Sequence, residues 1–375
     1  MIKKAALSLL CAFALFGGSS AEAYPEMVRY GYVNCNSCHV SLTGGGVLND
    51  YGREISREKL ALFKSDDEHA KESLFAYGIL SETSLQKHIK AGGDLRSVYY
   101  YVDDENTRQA RTIFMQGDFE AAYVSPKFIL DATAGVEQLG AGKNLTFLSR
   151  RHYAQYALSE AFNIRGGKFT PAYGINTADH ITLTRNPLQL GENFESYNLE
   201  FSYITEQWNA FVTGILGRFD NKQSKQDRGF SVQGAYAPTE RIKIGANAWY
   251  GEQLNQSRWL AGPFGLVSLS PSVIFQSEVD FEWVKPNGAL LSRRGVATSQ
   301  KLSYEALEGL WVYGIQEYGK SNFLSEVSQA ESYGLGVQIF PRSHFEFNLA
   351  YQRVRQGGGS RNFYDTAFLM SHFYL

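Results

Sequence analysis

Cysteine is scarce in this sequence, and most of it lies in one place. The 375 residues contain only Cys11, Cys35 and Cys38. Cys11 falls early within an N-terminal apolar stretch, where a lipid-modified cysteine is not expected. The other two are three positions apart, so the chain is not built on a framework of disulfides.

Long hydrophobic runs and an excess of one charge are also absent. Beyond residue 23 no stretch of about 18 consecutive apolar residues occurs, which excludes a transmembrane helix. The formal net charge is −2, whereas a nucleic-acid partner requires a basic stripe. No nucleophile is paired with a base, so conventional hydrolytic chemistry has no support.

The first 23 residues have the organisation of a secretory signal. Lys3 and Lys4 supply positive charge, residues 5–16 are apolar, and Ala21 and Ala23 form a cleavage site of small residues. The apolar stretch is too short to span a bilayer, which disfavours an uncleaved anchor. We therefore expect the mature chain to begin at Tyr24 after export.

From about His88 onward, apolar and polar residues alternate with a period of two. Segments 196–203, 241–250, 273–282 and 344–352 alternate in this way. Successive strand residues point to opposite faces, so each segment has one apolar and one polar face. The 23 Tyr, 25 Phe and 36 Gly are also typical of an exported barrel.

The spacing of turns favours a barrel over a soluble sandwich. Tight turns at one rim and long loops at the other are typical of outer-membrane barrels. We predict an all-β fold, a transmembrane antiparallel outer-membrane β-barrel of about 16 strands over 88–375, with 14 or 18 as alternatives, in a Gram-negative bacterium. Tight turns are expected near Pro126, Phe162, Glu206, Pro238, Pro271, Leu307 and Pro341. Longer loops are expected at 103–109, 140–149, 170–195, 218–228, 251–258, 285–295, 319–330 and 356–361.

The longest of these loops, 170–195, has two interpretations. A long third extracellular loop often folds inward and narrows the lumen of a porin, and this loop resembles one. It is equally compatible with a loop on the outer surface.

One motif in the chain carries recognisable chemistry. Cys35-Asn-Ser-Cys38-His39 matches C-x-x-C-H, in which two thiols attach haem covalently and the histidine ligates the iron. The alternatives are a thioredoxin-like dithiol, which would need a βαβ context, and a chance match. Export and the immediate histidine favour one c-type haem held by Cys35, Cys38 and His39.

The surroundings of the motif predict a small haem-bearing segment over 24–87. Gly44, Gly45 and Gly46 let the backbone approach a flat macrocycle, or form a simple turn. Helices are expected at 54–63 and, after a capping box at Ser65, to about Tyr77. This segment is too short for a large core of its own, so it either plugs the barrel or lies at its periplasmic mouth.

The sixth ligand of the iron is not specified by the sequence. Met27, His69 and His88 are the nearest candidates, and a vacant position is a further alternative. Each of these residues is more often an ordinary packing or surface residue.

With its signal, its single C-x-x-C-H near the mature N-terminus, a short linker and about 16 strands, the chain resembles the fused monohaem cytochrome–porins. The resemblance rests on Cys35, Cys38, His39 and the adjacent glycines. It implies an outer-membrane electron-transfer protein that takes electrons from extracellular Fe(II), and thus a possible Fe(II) oxidase.

Such a protein would be embedded in outer-membrane lipid and would pass electrons to a periplasmic c-type cytochrome. As a porin it would also be expected to form a homo-oligomer. The alternatives are a porin-type solute channel with a haem-bearing plug or redox gate, and a haem-free porin with a Cys35–Cys38 disulfide.

Several charged residues are expected to face the lumen. Their acids would attract Fe(II), but lumens of porins are polar simply because they are wet. The residues are Asp118, Glu120, Asp131, Glu137, Glu200, Glu278, Asp280 and Glu282, with Arg96, Lys243 and Arg353.

Overall fold

The computed structural model describes most of the chain beyond residue 24. The described ranges are 25–64, 88–104, 107–138, 143–177, 182–191, 194–220, 227–289, 291–356 and 362–375. The predicted signal and the predicted helix at 65–77 lie outside them. Within these ranges no helix is long and apolar enough to cross a membrane.

Seventeen strand segments form one closed antiparallel sheet. The first segment pairs with both the second and the last, which closes the ring. The fourth and fifth segments both pair with the third, so they are two halves of one crossing that is interrupted at 149–151. The barrel therefore has 16 crossings, as the sequence predicts. The segments are β1 (Ile89–Asp103), β2 (Arg108–Val124), β3 (Phe128–Gln138), β4 (Leu145–Leu148), β5 (His152–Ala157), β6 (Phe162–Phe169), β7 (Ser196–Ile204), β8 (Trp208–Gly217), β9 (Arg228–Thr239), β10 (Ile242–Gln253), β11 (Gln256–Ser270), β12 (Val273–Pro286), β13 (Arg293–Leu307), β14 (Leu310–Lys320), β15 (Gln329–Ile339), β16 (Phe345–Arg355) and β17 (Tyr364–Tyr374).

Burial along the strands is inverted relative to a soluble protein. On β12 the charged Asp280 is 0% exposed, whereas its neighbour Phe281 is 41% exposed. The same alternation of exposed apolar and buried polar residues recurs on β7 and β16. An outer wall of apolar side chains is stable only against lipid, so the chain is a transmembrane barrel of the outer-membrane type.

The two rims of the barrel differ in the length of their connections. One rim has turns of a few residues, such as 205–207 and 271–272, and is called the short-turn rim. The other rim carries most of the longer connections, of which 170–195 is the longest. The prediction of a long loop at 251–258 is wrong. Strand β10 ends at Gln253 and β11 begins at Gln256, so only a two-residue hairpin turn connects them.

Residues 25–64 lie inside the barrel and are called the plug. The plug consists of short helical turns: 3-10 turns at Pro25–Tyr30 and Cys35–Ser37, helix α1 at Asp50–Ile55 and a π-helical turn at Ser56–Leu60. The helix predicted at 54–63 therefore begins earlier than expected. It begins at Asp50 because the Asn49 side chain caps it, accepting a hydrogen bond from Gly52 N at 2.8 Å.

The plug is bonded to the barrel wall on many sides of the short-turn rim. Contacts to widely separated strands and turns hold it across the lumen rather than against one strand. They include Asn34 Nδ2 to Thr205 O at 2.8 Å, Ser56 Oγ to the Tyr374 hydroxyl at 3.0 Å, Leu62 N to Phe340 O at 2.8 Å, Lys301 Nζ to Glu26 Oε1 at 2.7 Å and an Arg29–Glu305 ion pair.

The described parts of loop 170–195, here called the inner loop, fold into the lumen. Tyr173 donates a hydrogen bond to Asp280 Oδ1 at 2.8 Å. Arg185 binds Glu278 with both ends of its guanidinium, at 2.8 and 2.9 Å. The inward interpretation of this loop is confirmed. Together, plug and inner loop cover the polar wall, so the acids there are buried instead of facing open water.

Candidate functional site: the C-x-x-C-H motif in the lumen

The C-x-x-C-H motif forms a single turn within the plug. The amides of Cys38 and His39 both donate to Cys35 O, at 3.3 and 3.0 Å. Cys38 is buried and Cys35 is half-buried. The turn therefore gathers Cys35, Cys38 and His39 on one short stretch of backbone, as covalent attachment of haem requires.

A run of glycines lies directly against the first thiol. Gly44, Gly45 and Gly46 have φ values of +80°, +71° and +70°, a left-handed conformation that other residues rarely adopt. A Cβ at Gly44 would lie 3.2 Å from Cys35 Sγ. The glycines thus keep the backbone in this conformation and add no side chain of their own beside Cys35.

His39 is held as a neutral ligand would be. Its Nδ1 lies 3.4 Å from Gly46 O, and its backbone pairs with Leu48. Burial lowers the pKa of His39 to about 4, so the imidazole is neutral at pH 7. Burial likewise raises the pKa of the Cys35 thiol.

Three positively charged side chains surround this part of the plug. Lys243 and Arg165 lie on strands of the wall, and Arg151 lies in the interruption between β4 and β5. Lys243 donates to Val33 O, two residues before Cys35. Arg165 donates to Ser41 Oγ at 3.2 Å. Arg151 lies against Gly46. The motif therefore lies among three cations of the lumen, two of which pair with wall acids, and the sequence did not reveal this arrangement.

The two described candidates for the sixth ligand have different surroundings. Met27 is 1% exposed and packs with Ile274 and Trp311 in a hydrophobic cluster. His88 is exposed, and the centroid of its ring lies 5.7 Å from that of the outward-facing Tyr123. His69 lies outside the described residues. Among the described ranges, no group of three or more His, Cys, Asp or Glu side chains is arranged to hold a metal ion.

The predicted lumen residues face inward, with one exception. All eight acids are buried. The prediction that Arg353 faces the lumen is wrong. Arg353 shares the outward face of β16 with Tyr351, and its side chain is 60% exposed beside Asp365. It lies near the long-loop rim, where the strand leaves the apolar band and outward charge is tolerated.

Comparisons with known proteins give fold matches only. No family model and no curated protein sequence matches this chain. OmpT of Vibrio cholerae matches with a TM-score of 0.60 and 10% identity, over 76% of this chain and 97% of OmpT. The fold is that of a porin. The outer-membrane channel DcaP of Acinetobacter baumannii (TM-score 0.58, 11% identity, 76% and 97% coverage) and an anion-selective porin from Comamonas acidovorans (0.58, 11%, 76% and 99%) match similarly.

The donor set of the porin-type chain fits a c-type haem. Two thiols on one turn, a neutral histidine next to them and a glycine run without side chains beside Cys35 meet the chemical requirements of attachment. A haem there would be held inside a barrel wall and not on an exposed domain.

Proposed function

We propose that this chain is a porin-type outer-membrane protein that transfers electrons by means of one c-type haem carried on its plug. The observation that supports this most is the position of the C-x-x-C-H motif on a segment bonded across the lumen. An ordinary porin leaves its lumen open to solutes, whereas this lumen is filled at the short-turn rim.

In this proposal Cys35 and Cys38 hold the haem through thioether bonds and His39 ligates its iron. The bound group supplies a one-electron Fe(II)/Fe(III) couple. Met27, His69 and His88 stay candidates for the sixth ligand. The chain's own contribution is to fix the motif in place and to shield it from bulk water, through the plug contacts and the inner loop.

A haem inside the lumen is useful because electrons must cross the height of the barrel. The apolar band of an outer-membrane barrel is about 25 Å tall, and lipid and protein insulate across it. A redox group inside the lumen shortens the separation between the two sides. We infer an extracellular donor such as Fe(II) at the long-loop rim and a periplasmic c-type cytochrome at the short-turn rim.

Reconstitution tests the electron-transfer proposal. The protein is inserted into liposomes that contain an oxidised soluble c-type cytochrome, and Fe(II) is added outside. We expect reduction of the enclosed cytochrome by the wild type and none by Cys35→Ala/Cys38→Ala. Equal rates in both, or no reduction by a protein that carries haem, would contradict the proposal.

A solute channel is the second candidate, and the similar structures favour it. DcaP is described as a channel and the Comamonas protein as an anion-selective porin. A cavity of about 60 Å³ lies between the plug, Arg185 of the inner loop and Lys301 of the wall. Because the plug is bonded across the lumen, a channel function requires the plug to move, as a gate. Swelling of liposomes in sugar solutions, lost on reduction of the haem, would support this candidate.

A homo-oligomer is also proposed. One matching OmpT structure is described as a trimer form. Light scattering of the purified protein in detergent gives the subunit number directly, and a monomer at all concentrations would contradict an oligomer.

A further inference from the structure

One buried acid of the barrel wall has no hydrogen-bond partner among the described residues. Asp131 lies on β3, faces the lumen and is 4% exposed. Neither of its carboxylate oxygens accepts a hydrogen bond from the described part of the chain. Buried carboxylates are normally paired with a donor or coordinate a metal ion, because an isolated buried charge is strongly disfavoured.

Further unpartnered oxygens lie next to Asp131. Tyr153 on β5 is directly opposite it, and Gln155 follows on the same face. Both side chains are at least nine-tenths buried, and neither the Tyr153 hydroxyl nor Gln155 Oε1 has a partner within the described ranges. Side chains at opposite and diagonal positions of adjacent strands are within reach of each other.

A second carboxylate completes the group. Glu120 on β2 is diagonal to Asp131 across the strand pair, and the two carboxyl groups lie side by side. Glu120, Asp131, Tyr153 and Gln155 are together called the oxygen cluster. Two adjacent carboxylates repel each other unless a proton or a cation lies between them.

The nearby arginines do not satisfy Asp131. Arg151 binds Glu120 at 2.7 Å. Arg165 binds Glu200 at 2.7 Å and stacks on the ring of Phe169 at 3.8 Å. Arg151 therefore compensates Glu120 within the oxygen cluster, but neither guanidinium group donates a hydrogen bond to Asp131.

We propose that the oxygen cluster binds one hard divalent cation of the Ca²⁺, Mg²⁺ and Mn²⁺ class. Carboxylate and amide oxygens are the ligands that such ions prefer, and one ion would compensate Asp131 and relieve its repulsion with Glu120. Glu120 Oε1 lies against Gly46 of the plug. The bound cation would therefore stand where the plug meets the wall. The site is made by the chain alone and does not depend on the haem.

Mn²⁺ is the probe that tests the site. Protein purified from membranes is treated with chelator and titrated with Mn²⁺, and free Mn²⁺ is followed by electron paramagnetic resonance. We expect about one tight site per chain in the wild type, displaced by Ca²⁺ or Mg²⁺. Asp131→Asn should weaken binding by about tenfold or more. Gln155→Leu, which keeps both acids, should weaken it less.

Asp118→Asn is the matched control. Asp118 is a buried wall acid two residues from Glu120, but unlike Asp131 it has partners, since Arg150 and Gln116 both bind its Oδ2. Its replacement should leave the Mn²⁺ affinity unchanged. Heat-modified migration on denaturing gels verifies that each variant is folded. Absence of tight Mn²⁺ binding by the folded wild type, or equal affinity of wild type and Asp131→Asn, would overturn the proposal and leave a shared proton as the occupant.

Discussion

At the residue scale, Gly44 links the backbone conformation of the plug to its chemistry. Its φ of +80° favours glycine, and a Cβ there would press on the Cys35 thiol at 3.2 Å. Gly288, in a loop after β12, has a similar φ of +77° but no heavy atom within 4 Å of an added Cβ. A side chain would strain the backbone at both positions, but only at Gly44 would it also crowd the motif.

We predict that Gly44→Ala lowers the haem content of the purified protein, whereas Gly288→Ala does not. Both substitutions cost about 1–2 kcal/mol of backbone strain, since each forces a side chain into the left-handed region. Only the first also narrows the space beside the thiol. The ratio of haem absorbance to protein measures the effect, and equal ratios in the two variants would refute it.

The motif residues were identifiable from the sequence because C-x-x-C-H is a local pattern. Its surroundings were not, because Lys243, Arg151 and Arg165 reach it only through the closure of the barrel. The interruption at 149–151 also breaks the alternation and allows adjacent Arg150 and Arg151 both to pair with wall acids, which no period-two pattern predicts.

At the element scale, the plug is held by ion pairs of very different burial. Arg29 and Glu305 pair with side chains 5% and 7% exposed, and Arg29 also donates to Pro271 O at 3.2 Å. Lys64 and Glu308 pair with side chains 40% and 45% exposed. Removal of one partner from a buried pair is costly, while an exposed pair contributes little.

We predict that Arg29→Ala loosens the plug and Lys64→Ala does not. The first change should cost about 3–5 kcal/mol and the second at most about 1 kcal/mol. In planar bilayers, Arg29→Ala should show frequent ion-conducting openings, while Lys64→Ala matches the wild type. Identical conductance in all three proteins would show that Arg29 does not retain the plug.

The inner loop is a second element that narrows the lumen. Arg185 ties it to Glu278 through two buried hydrogen bonds, whereas Gln253 makes one exposed contact with it, to Gln189 at 2.7 Å. The sequence left its direction open. Apolar residues within it, such as Tyr173, Ile175 and Leu188, are the signal that could have decided the question, because they are buried in the lumen.

We predict that Arg185→Ala releases the inner loop and exposes it to added protease, while Gln253→Ala leaves cleavage unchanged. The variant loses a bidentate pair and leaves Glu278 buried without its main partner. Limited proteolysis followed by mass spectrometry maps the cut sites. Full protection of 170–195 in Arg185→Ala would contradict the prediction, because it would mean that the other lumen contacts hold the inner loop without Arg185.

At the scale of the whole molecule, alternation of period two was enough to predict the barrel and the sense of its faces. Glu278 and Asp280 fall inside and Phe281 outside, as the pattern requires. The position of the plug was not predictable, because contacts such as Ser56 to Tyr374 join distant parts of the chain and leave no local signal. Arg353 lies outside because it has the same strand parity as Leu349 and Tyr351, which also face outward.

The central claim is that the plug inside this barrel carries one covalent haem on Cys35 and Cys38. Mass spectrometry of the denatured chain, purified from outer membranes of cells able to mature c-type cytochromes, tests it most directly. The account predicts the polypeptide mass plus that of one haem, with the addition mapped to the peptide that contains both cysteines. Two unmodified thiols, or a disulfide between them, would contradict it.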